Sequence, residues 1–252
     1  MTKISQPQKP EEESALTDAF SKTLHRRSFF RYAGATAAVS ALLLTGCSDD
    51  DDEEPGVDPN NPHPNNPNAA NAVNLGSGDT GILNYAYALE QLEAAFYTEV
   101  VAKSGGVLST DEMMVMNDLM AHEVAHREFF KAALGSGAIP NLEVDFSSIN
   151  FGNRDSVLGT AKVFEDLGVA AYNGAGKLIS DAKYLVIAGK IVSVEARHAA
   201  VIRDLINPKS RDFAGDDVIN SSGLDRALMP SEVLAAADRY IITNINPNNL
   251  PK

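Results

Sequence analysis

The sequence contains no tryptophan, one cysteine and few aromatic residues, and each of these shortages excludes a class of structure. A lone cysteine, Cys47, can form neither a disulfide within the chain nor a metal site built from several thiolates. Aromatic residues make up only 7% of the 252 residues, whereas alanine is abundant. This composition favours helices packed through small side chains over a β-sandwich, so we expect an all-α fold.

Basic residues are also scarce. The chain has 21 lysines and arginines against 34 aspartates and glutamates, which gives a formal net charge of −13. Because a surface this acidic repels phosphate backbones, we expect no nucleic-acid partner. The hydrophobic fraction of 44% is sufficient for one domain with a core, together with additional segments.

Near the N-terminus the chain has an apolar run over residues 32–44 that is too short to cross a bilayer, which takes ~20 residues. The basic segment HRRSFFR (25–31) precedes this run, and LTGC (44–47) ends it. A basic region, a short apolar region and a small-residue cleavage site together predict a secretion signal. Arg26-Arg27 resembles the pair of a twin-arginine signal, and LTGC resembles the lipobox of bacterial lipoproteins. That resemblance implies that residues 1–47 are a signal ending at a lipidated Cys47.

Residues 48–77 are predicted to be a solvated tether. They begin with SDDDDEE (48–54) and continue as a Pro/Asn-rich run that cannot bury apolar surface. His63 is expected to be plain linker. The resulting expectation is a protein exported to the cell envelope and held by its lipid on the outer membrane, on the periplasmic or the surface face.

Helical periodicity begins near Thr80. It predicts four helices at roughly 80–103, 109–134, 155–180 and 182–207, and a shorter fifth near 230–243. The four long helices predict a four-helix bundle over 78–208, with a long connection at 135–153 and a C-terminal extension at 209–252.

Each long helix has an apolar stripe with alternating spacings of four and three residues, which is typical of a bundle interior. Near its middle, every stripe is interrupted by one carboxylate, or by a carboxylate and a histidine three residues apart. The interrupting residues are Glu90, Glu123, His126, Glu165, Glu195 and His198.

These interruptions predict a two-metal site. An unpaired ionised carboxylate in an apolar core costs several kcal/mol, and four in one interior would also repel one another. Such a core is stable only if the carboxylates are protonated or if cations neutralise them. Two divalent metals would balance four glutamates. Oxygen ligands with two imidazoles suit iron or manganese, with zinc also open.

The same residues form an internal repeat. Its halves are Glu90, Tyr97 and Glu123-x-x-His126, then Glu165, Tyr172 and Glu195-x-x-His198. The spacing from the first glutamate to the tyrosine is seven residues in both halves. Two helix hairpins related by an approximate two-fold axis would bring all six predicted ligands to one layer.

The pattern resembles the ferritin-like superfamily, in which one glutamate from each of two helices joins a Glu-x-x-His from each of the other two. More narrowly, four segments look like the ferritin-like domains related to plant desiccation-related proteins. They are LEQLEAAFY (89–97), AHEVAHREFF (121–130), FEDLGVAAYNGA (164–175) and VEARHAAVI (194–202). The resemblance covers about 78–208, and the 135–153 connection fits the crossover that such bundles need.

The resemblance also implies a role for each ligand. Glu90 and Glu165 would be terminal ligands on one metal each, and Glu123 and Glu195 would bridge. His126 and His198 would complete the two coordination spheres.

Other residues near the stripes have more than one interpretation. Tyr97 and Tyr172 are candidate catalytic residues that could hydrogen-bond carboxylates or relay electrons, and core packing with a satisfied hydroxyl is the alternative. Glu93 is either a further carboxylate of the site or a partner for a histidine. His122 lies off the stripe and is expected at the surface. Gly174 is expected to allow close helix packing.

Three functions remain open from the sequence. The first is a di-iron or di-manganese redox enzyme that reacts with dioxygen or peroxide, by oxidising ferrous iron or removing peroxide. The second is a non-catalytic, stress-protective or structural lipoprotein. The third is an interaction or adhesion module on the cell surface, which the complete ligand set disfavours. The lipid anchor and tether make a cage awkward, so we expect a monomer or small oligomer.

Exchange of Arg26-Arg27 for Lys-Lys should abolish export, because twin-arginine signals depend on the arginine pair and this change keeps the positive charge. Fractionation of cells expressing the variant checks this, and undiminished export would contradict it.

Overall fold

The structure, a computed structural model, describes residues 61–252, and the predicted signal, Cys47 and the acidic stretch lie outside the described residues. Within these residues it has five α-helices: α1 (Gly78–Lys103), α2 (Thr110–Leu134), α3 (Arg154–Gly176), α4 (Ala182–Ile206) and the short α5 (Pro230–Ala237). α1 packs mainly against α2, and α3 packs mainly against α4. The predicted all-α four-helix bundle is therefore confirmed.

Side-chain caps fix where three of the long helices begin. Ser109 and Glu112 form a reciprocal capping box at the start of α2, as the sequence indicates. The Asn153 side chain accepts a hydrogen bond from the Ser156 amide at the start of α3. Asp181 caps α4 by accepting from the Lys183 amide. These caps satisfy amides that have no partner within the helix, so they set the helix register and with it the position of the central layer.

The third helix ends at Gly176, four residues before the predicted end at 180. The reason is the reversal into α4, which needs residues 177–181 as a connection. The Asp79 carboxylate accepts hydrogen bonds from the amides of Ser180 and Asp181, at 2.5 and 2.7 Å, and holds this connection against the start of α1. The fifth helix is also shorter than predicted, because a 3₁₀ turn over Asp238–Tyr240 follows it.

The tether prediction needs correction from residue 61 onward. The strand β1 (Val73–Asn74) pairs in parallel with β2 (Ile245–Asn246) near the C-terminus. Asn65 makes two hydrogen bonds to the backbone of Ile245, donating to its carbonyl and accepting from its amide. His63, expected to be plain linker, contacts Asp145 at 3.2 Å. The composition predicts that the polar groups of this segment are hydrogen-bonded to water. Asparagine side chains instead form hydrogen bonds with the C-terminal part of the chain.

The C-terminal extension is held to the bundle by a buried arginine. The Arg203 guanidinium, on α4, donates to both carboxylate oxygens of Asp166 on α3, at 2.8 and 2.7 Å. It also donates to the Asp217 carboxylate and the Asp212 carbonyl. The ion pair raises the pKa of Arg203 and lowers that of Asp217. The acidic loop DFAGDD (212–217) is therefore an anchor for the extension.

Gly174 allows the backbone of the C-terminal extension to contact α3, where close packing of another helix was predicted. A Cβ there would lie 1.7 Å from the Leu228 carbonyl oxygen, and the Leu228 amide donates to the Ala170 carbonyl on α3. The extension therefore crosses α3 in contact with its backbone. Among residues 61–252, no helix combines the length and the hydropathy needed to cross a membrane.

Gly174→Ala should lower the free energy of unfolding by about 1–3 kcal/mol, because the new methyl group would collide with the Leu228 backbone. Urea denaturation measures the change. Gly159→Ala in the same helix is the matched control, because nothing lies within 4 Å of its added Cβ. The control should gain about 0.5–1 kcal/mol from helix propensity. Equal effects of the two substitutions would contradict the proposed contact.

Candidate metal centre

The six predicted ligands lie together in the middle of the bundle. α1 supplies Glu90 and α3 supplies Glu165, while α2 and α4 each supply a glutamate and a histidine spaced by three residues. That spacing places both side chains on one helix face, directed at the interior. The four glutamates are fully buried. The imidazoles are largely buried, with His126 14% and His198 4% exposed.

Carboxylates from three helices surround the Nδ1 atom of His126. It lies 2.9 Å from Glu195 Oε1, and 3.4 Å from both Glu90 Oε2 and Glu123 Oε2. The nearest of these carboxylates belongs to the other half of the repeat. One ligand atom from each of these four residues lies within 4.8 Å of all the others, which is close enough to hold one ion.

A second group of the same composition surrounds His198. Its Nδ1 atom lies 2.8 Å from Glu123 Oε1, 3.4 Å from Glu165 Oε2 and 3.6 Å from Glu195 Oε2. This group also satisfies the 4.8 Å criterion. Glu123 and Glu195 belong to both groups, and each directs one oxygen toward one imidazole and the other oxygen toward the second. The arrangement has the geometry expected for bridging carboxylates.

Eight buried atoms of the site have no hydrogen-bond partner among the described residues. They are Oε2 of Glu90 and Glu165, both carboxylate oxygens of Glu123 and Glu195, and Nδ1 of His126 and His198. Buried polar groups in folded proteins are almost always bonded, so eight exceptions in one cluster require an explanation. Divalent metals explain them, because these are the oxygen and nitrogen donors that iron and manganese take. The residues present therefore fit a two-metal centre.

The two tyrosines bond to the terminal glutamates in a crossed arrangement. Tyr97 donates its hydroxyl proton to Glu165 Oε1 at 2.5 Å, and Tyr172 donates to Glu90 Oε1. Each tyrosine thus contacts the glutamate of the opposite half. One oxygen of each terminal carboxylate is occupied by a tyrosine, which leaves Oε2 directed at the centre.

Burial, repulsion between carboxylates and their attraction to the imidazoles shift the pKa values of the cluster strongly when no metal is bound. Burial and the nearby carboxylates raise the pKa of Glu165 to about 8 and that of Glu90 well above its ordinary value. Burial opposes charge on the histidines, but the surrounding carboxylates raise the pKa of His126 and His198 to about 12. Burial likewise opposes charge on Glu123, yet the two imidazoles lower its pKa to about 2.

A further buried carboxylate, Glu93, borders the cluster. A Cβ on Gly168 would lie 3.0 Å from Glu93 Oε1 and 3.8 Å from Glu195 Oε2, so the absence of a side chain there makes room for both groups. Burial, followed by repulsion from Glu195, raises the pKa of Glu93 well above its ordinary value. Glu93 therefore lies on the Glu195 side of the centre and belongs to neither four-residue group.

The prediction that His122 lies at the surface is confirmed, but its contact with His198 was not predicted. The His122 side chain is exposed, as expected for a surface residue, but its Nδ1 lies 2.9 Å from Nε2 of His198. The available signal was its spacing of four from His126, which places both on one side of α2.

Residues 78–208, just over half of the chain, match the family model described as a ferritin-like domain. The chain belongs to the ferritin-like family. No curated protein matches it.

The ferritin-like domain comprises α1 to α4 and the connections between them, and it contains every residue of the two four-residue groups. The N-terminal segment 61–77 and the extension 209–252 lie outside the match and pack on it. The narrower likeness to desiccation-related proteins stays a prediction.

The stability of the metal-free ferritin-like domain should fall as the pH rises from about 5 to 8. Glu165 in the folded protein keeps a proton up to about pH 8, and both histidines keep theirs above 6.5, whereas the unfolded chain releases these protons earlier. The loss should be on the order of 1 kcal/mol per pH unit for each such group. Urea denaturation at several pH values, with a chelator present, measures it.

Glu165→Gln is the control for this pH dependence, because it removes one titrating group and should flatten the slope. The lowered pKa of Glu123 acts in the opposite sense only below its ordinary value of 4.5. Metal-free protein whose stability rises between pH 5 and 8 would contradict the prediction.

Proposed function

We propose that this protein is an exported, lipid-anchored ferritin-like protein whose centre binds two iron ions, with manganese as the alternative, and oxidises ferrous iron or removes peroxide. The observation that carries the proposal is the pair of four-residue groups sharing Glu123 and Glu195. Each group offers three carboxylates and one imidazole to one ion, a donor set that suits iron or manganese. Glu90 and Glu165 are the terminal ligands in this proposal.

Bound iron would supply the electrons that reduce an oxidant and would hold it at an open coordination position. The chain's own residues prepare the centre for this. The four glutamates balance the charge of two divalent ions. Tyr97 and Tyr172 hold protons against Glu165 and Glu90, within hydrogen-bond distance of two ligands. We assign them the role of passing protons or electrons to the centre.

An apolar pocket lined by Tyr172, which bonds to Glu90, favours dioxygen as the oxidant. It has a volume of about 50 Å³, several times the 10–15 Å³ or so that one water requires. Tyr172 and Ala171 line it from α3, and Phe129 and Tyr184 line it from α2 and α4. An apolar lining offers water no hydrogen bonds and admits small apolar molecules. Dioxygen fits that description, whereas hydrogen peroxide would lose its hydrogen bonds to water there.

A non-catalytic role is the second candidate, and the closure of the site favours it. All four glutamates are fully buried and both tyrosine hydroxyls are already bonded. A centre this enclosed could hold metal only to stabilise the bundle, because neutralising the buried carboxylates is itself stabilising. The protein would then be a structural or stress-protective lipoprotein.

The purified protein should contain two iron or manganese ions per chain, and a Glu123→Ala/Glu195→Ala variant should lose both, because it removes both residues that the two groups share. Elemental analysis measures the content. Glu128→Ala/Glu143→Ala is the matched control, since it removes two exposed glutamates and should keep the metal. Folded parent protein without metal, as stable as the double variant, would contradict the proposal.

The same preparations distinguish the two candidate functions. Ferrous-loaded parent protein mixed with dioxygen or with peroxide should be oxidised faster than free ferrous iron, and the double variant should not be. Full metal occupancy without accelerated oxidation by either oxidant would select the non-catalytic role.

A further inference from the structure

The two halves of the repeat differ at the residue before the second glutamate. In the first half this residue is His122, ahead of Glu123, and in the second half it is Val194, ahead of Glu195. Imidazole can accept or donate a hydrogen bond, and the valine side chain can do neither. The approximate symmetry of the ligands is therefore broken directly beside them.

His122 and His198 form an end-to-end imidazole pair. Nδ1 of His122 lies 2.9 Å from Nε2 of His198, and the two rings are parallel to within 6°. The ring centroids are 5.1 Å apart and the two nitrogens are 2.9 Å apart. The difference is about the sum of the two ring radii, so the centroids and the two nitrogens lie nearly on one line. The rings therefore lie nearly in one plane, as a direct N–H···N hydrogen bond requires, and not face to face.

The direction of this hydrogen bond follows from the carboxylates. Nδ1 of His198 faces Glu123, Glu165 and Glu195, so a metal ligand needs its lone pair at Nδ1 and its proton at Nε2. Nε2 then donates to Nδ1 of His122, whose own proton sits on the exposed side of its ring. His122 thereby holds His198 in the tautomer and ring orientation that binding requires.

His126 has no equivalent support. Its Nδ1 also faces the carboxylates, but among residues 61–252 no side chain is hydrogen-bonded to its Nε2. The His126 ring is also the more exposed of the two, at 14% against 4%. The second ring nitrogen of His198 is therefore held by His122, whereas no side chain of residues 61–252 holds that of His126.

We infer that His122 is a positioning residue that makes the two metal positions unequal, with the tighter one formed by Glu123, Glu165, Glu195 and His198. The inference rests on the proposed function, because it concerns a metal centre. Partners that hold a ligating histidine are worth about 10- to 100-fold in metal affinity. The protein should consequently bind its two ions in sequence, first at the His198 position.

The test is a calorimetric titration of the purified full-length protein with manganese(II). Parent protein should show two separable affinities. His122→Val, which copies the other half of the repeat, should weaken the tighter step about 10- to 100-fold and leave the weaker step unchanged. His122→Asn, whose amide oxygen can accept the same hydrogen bond, should retain most of the affinity. Val194→His should tighten the weaker step.

Diffraction from crystals at partial manganese saturation identifies the position affected. In the parent protein the anomalous signal of manganese should appear first beside His198. In His122→Val the two positions should fill more equally. The thermal stability of the metal-free His122→Val variant should fall only slightly, because His122 is exposed and the change removes one hydrogen bond.

Two results would overturn the inference while leaving the two-metal centre intact: unchanged affinities in His122→Val, or equal weakening of both steps. Parent protein that binds no manganese or iron would instead overturn the proposed function itself.

Discussion

Four glutamates and two histidines share the interior of the bundle. Burial makes ionised carboxylates expensive, and their mutual proximity adds repulsion. In the metal-free protein burial and repulsion shift the pKa of Glu165 upward, whereas the two neighbouring imidazoles shift that of Glu123 downward. Bound cations would remove the conflict, and the bundle brings the six side chains together where cations could bind.

Rigid support for the ligands comes from several parts of the chain. Caps at Ser109, Asn153 and Asp181 fix the helix starts, and the crossed tyrosines orient the terminal glutamates. Outside the family match, the N-terminal segment 61–77 pairs with the C-terminal extension, and Arg203 ties that extension to α3. Binding sites for metals require such pre-organisation, since small displacements of a ligand weaken coordination.

The centre is nearly symmetric, with local exceptions beside its ligands. The repeat places equivalent ligands around two positions, and Glu123 and Glu195 serve both. His122, opposite His198, has Val194 as its counterpart in the other half. Two positions with different affinities allow one ion to stay while the other is exchanged, which is the behaviour that oxidation of a metal substrate would need.

The sequence by itself determined the bundle and the six residues at its centre. Helical periodicity fixes which face of a helix is buried, and a charged residue on such a face is conspicuous because its burial is costly. Helix ends were less determined, as the end of α3 at Gly176 illustrates, because they depend on the path of the following connection. The prediction of a solvated tether was wrong for segment 61–77, which forms hydrogen bonds with residues 238–246. A Pro/Asn-rich composition indicates that a segment has little apolar surface to bury, but it does not show which other segment bonds to it.

Only the tertiary structure decided the contacts that join residues far apart in sequence. These include the crossing of Tyr97 to Glu165 and Tyr172 to Glu90, the anchoring of the loop 212–217 by Arg203, and the pairing of His122 with His198. Periodicity along one helix places a side chain on a face, but it carries no information about which side chain of another helix lies opposite. Helix packing determines which side chains face each other, and these contacts hold the ligands in place.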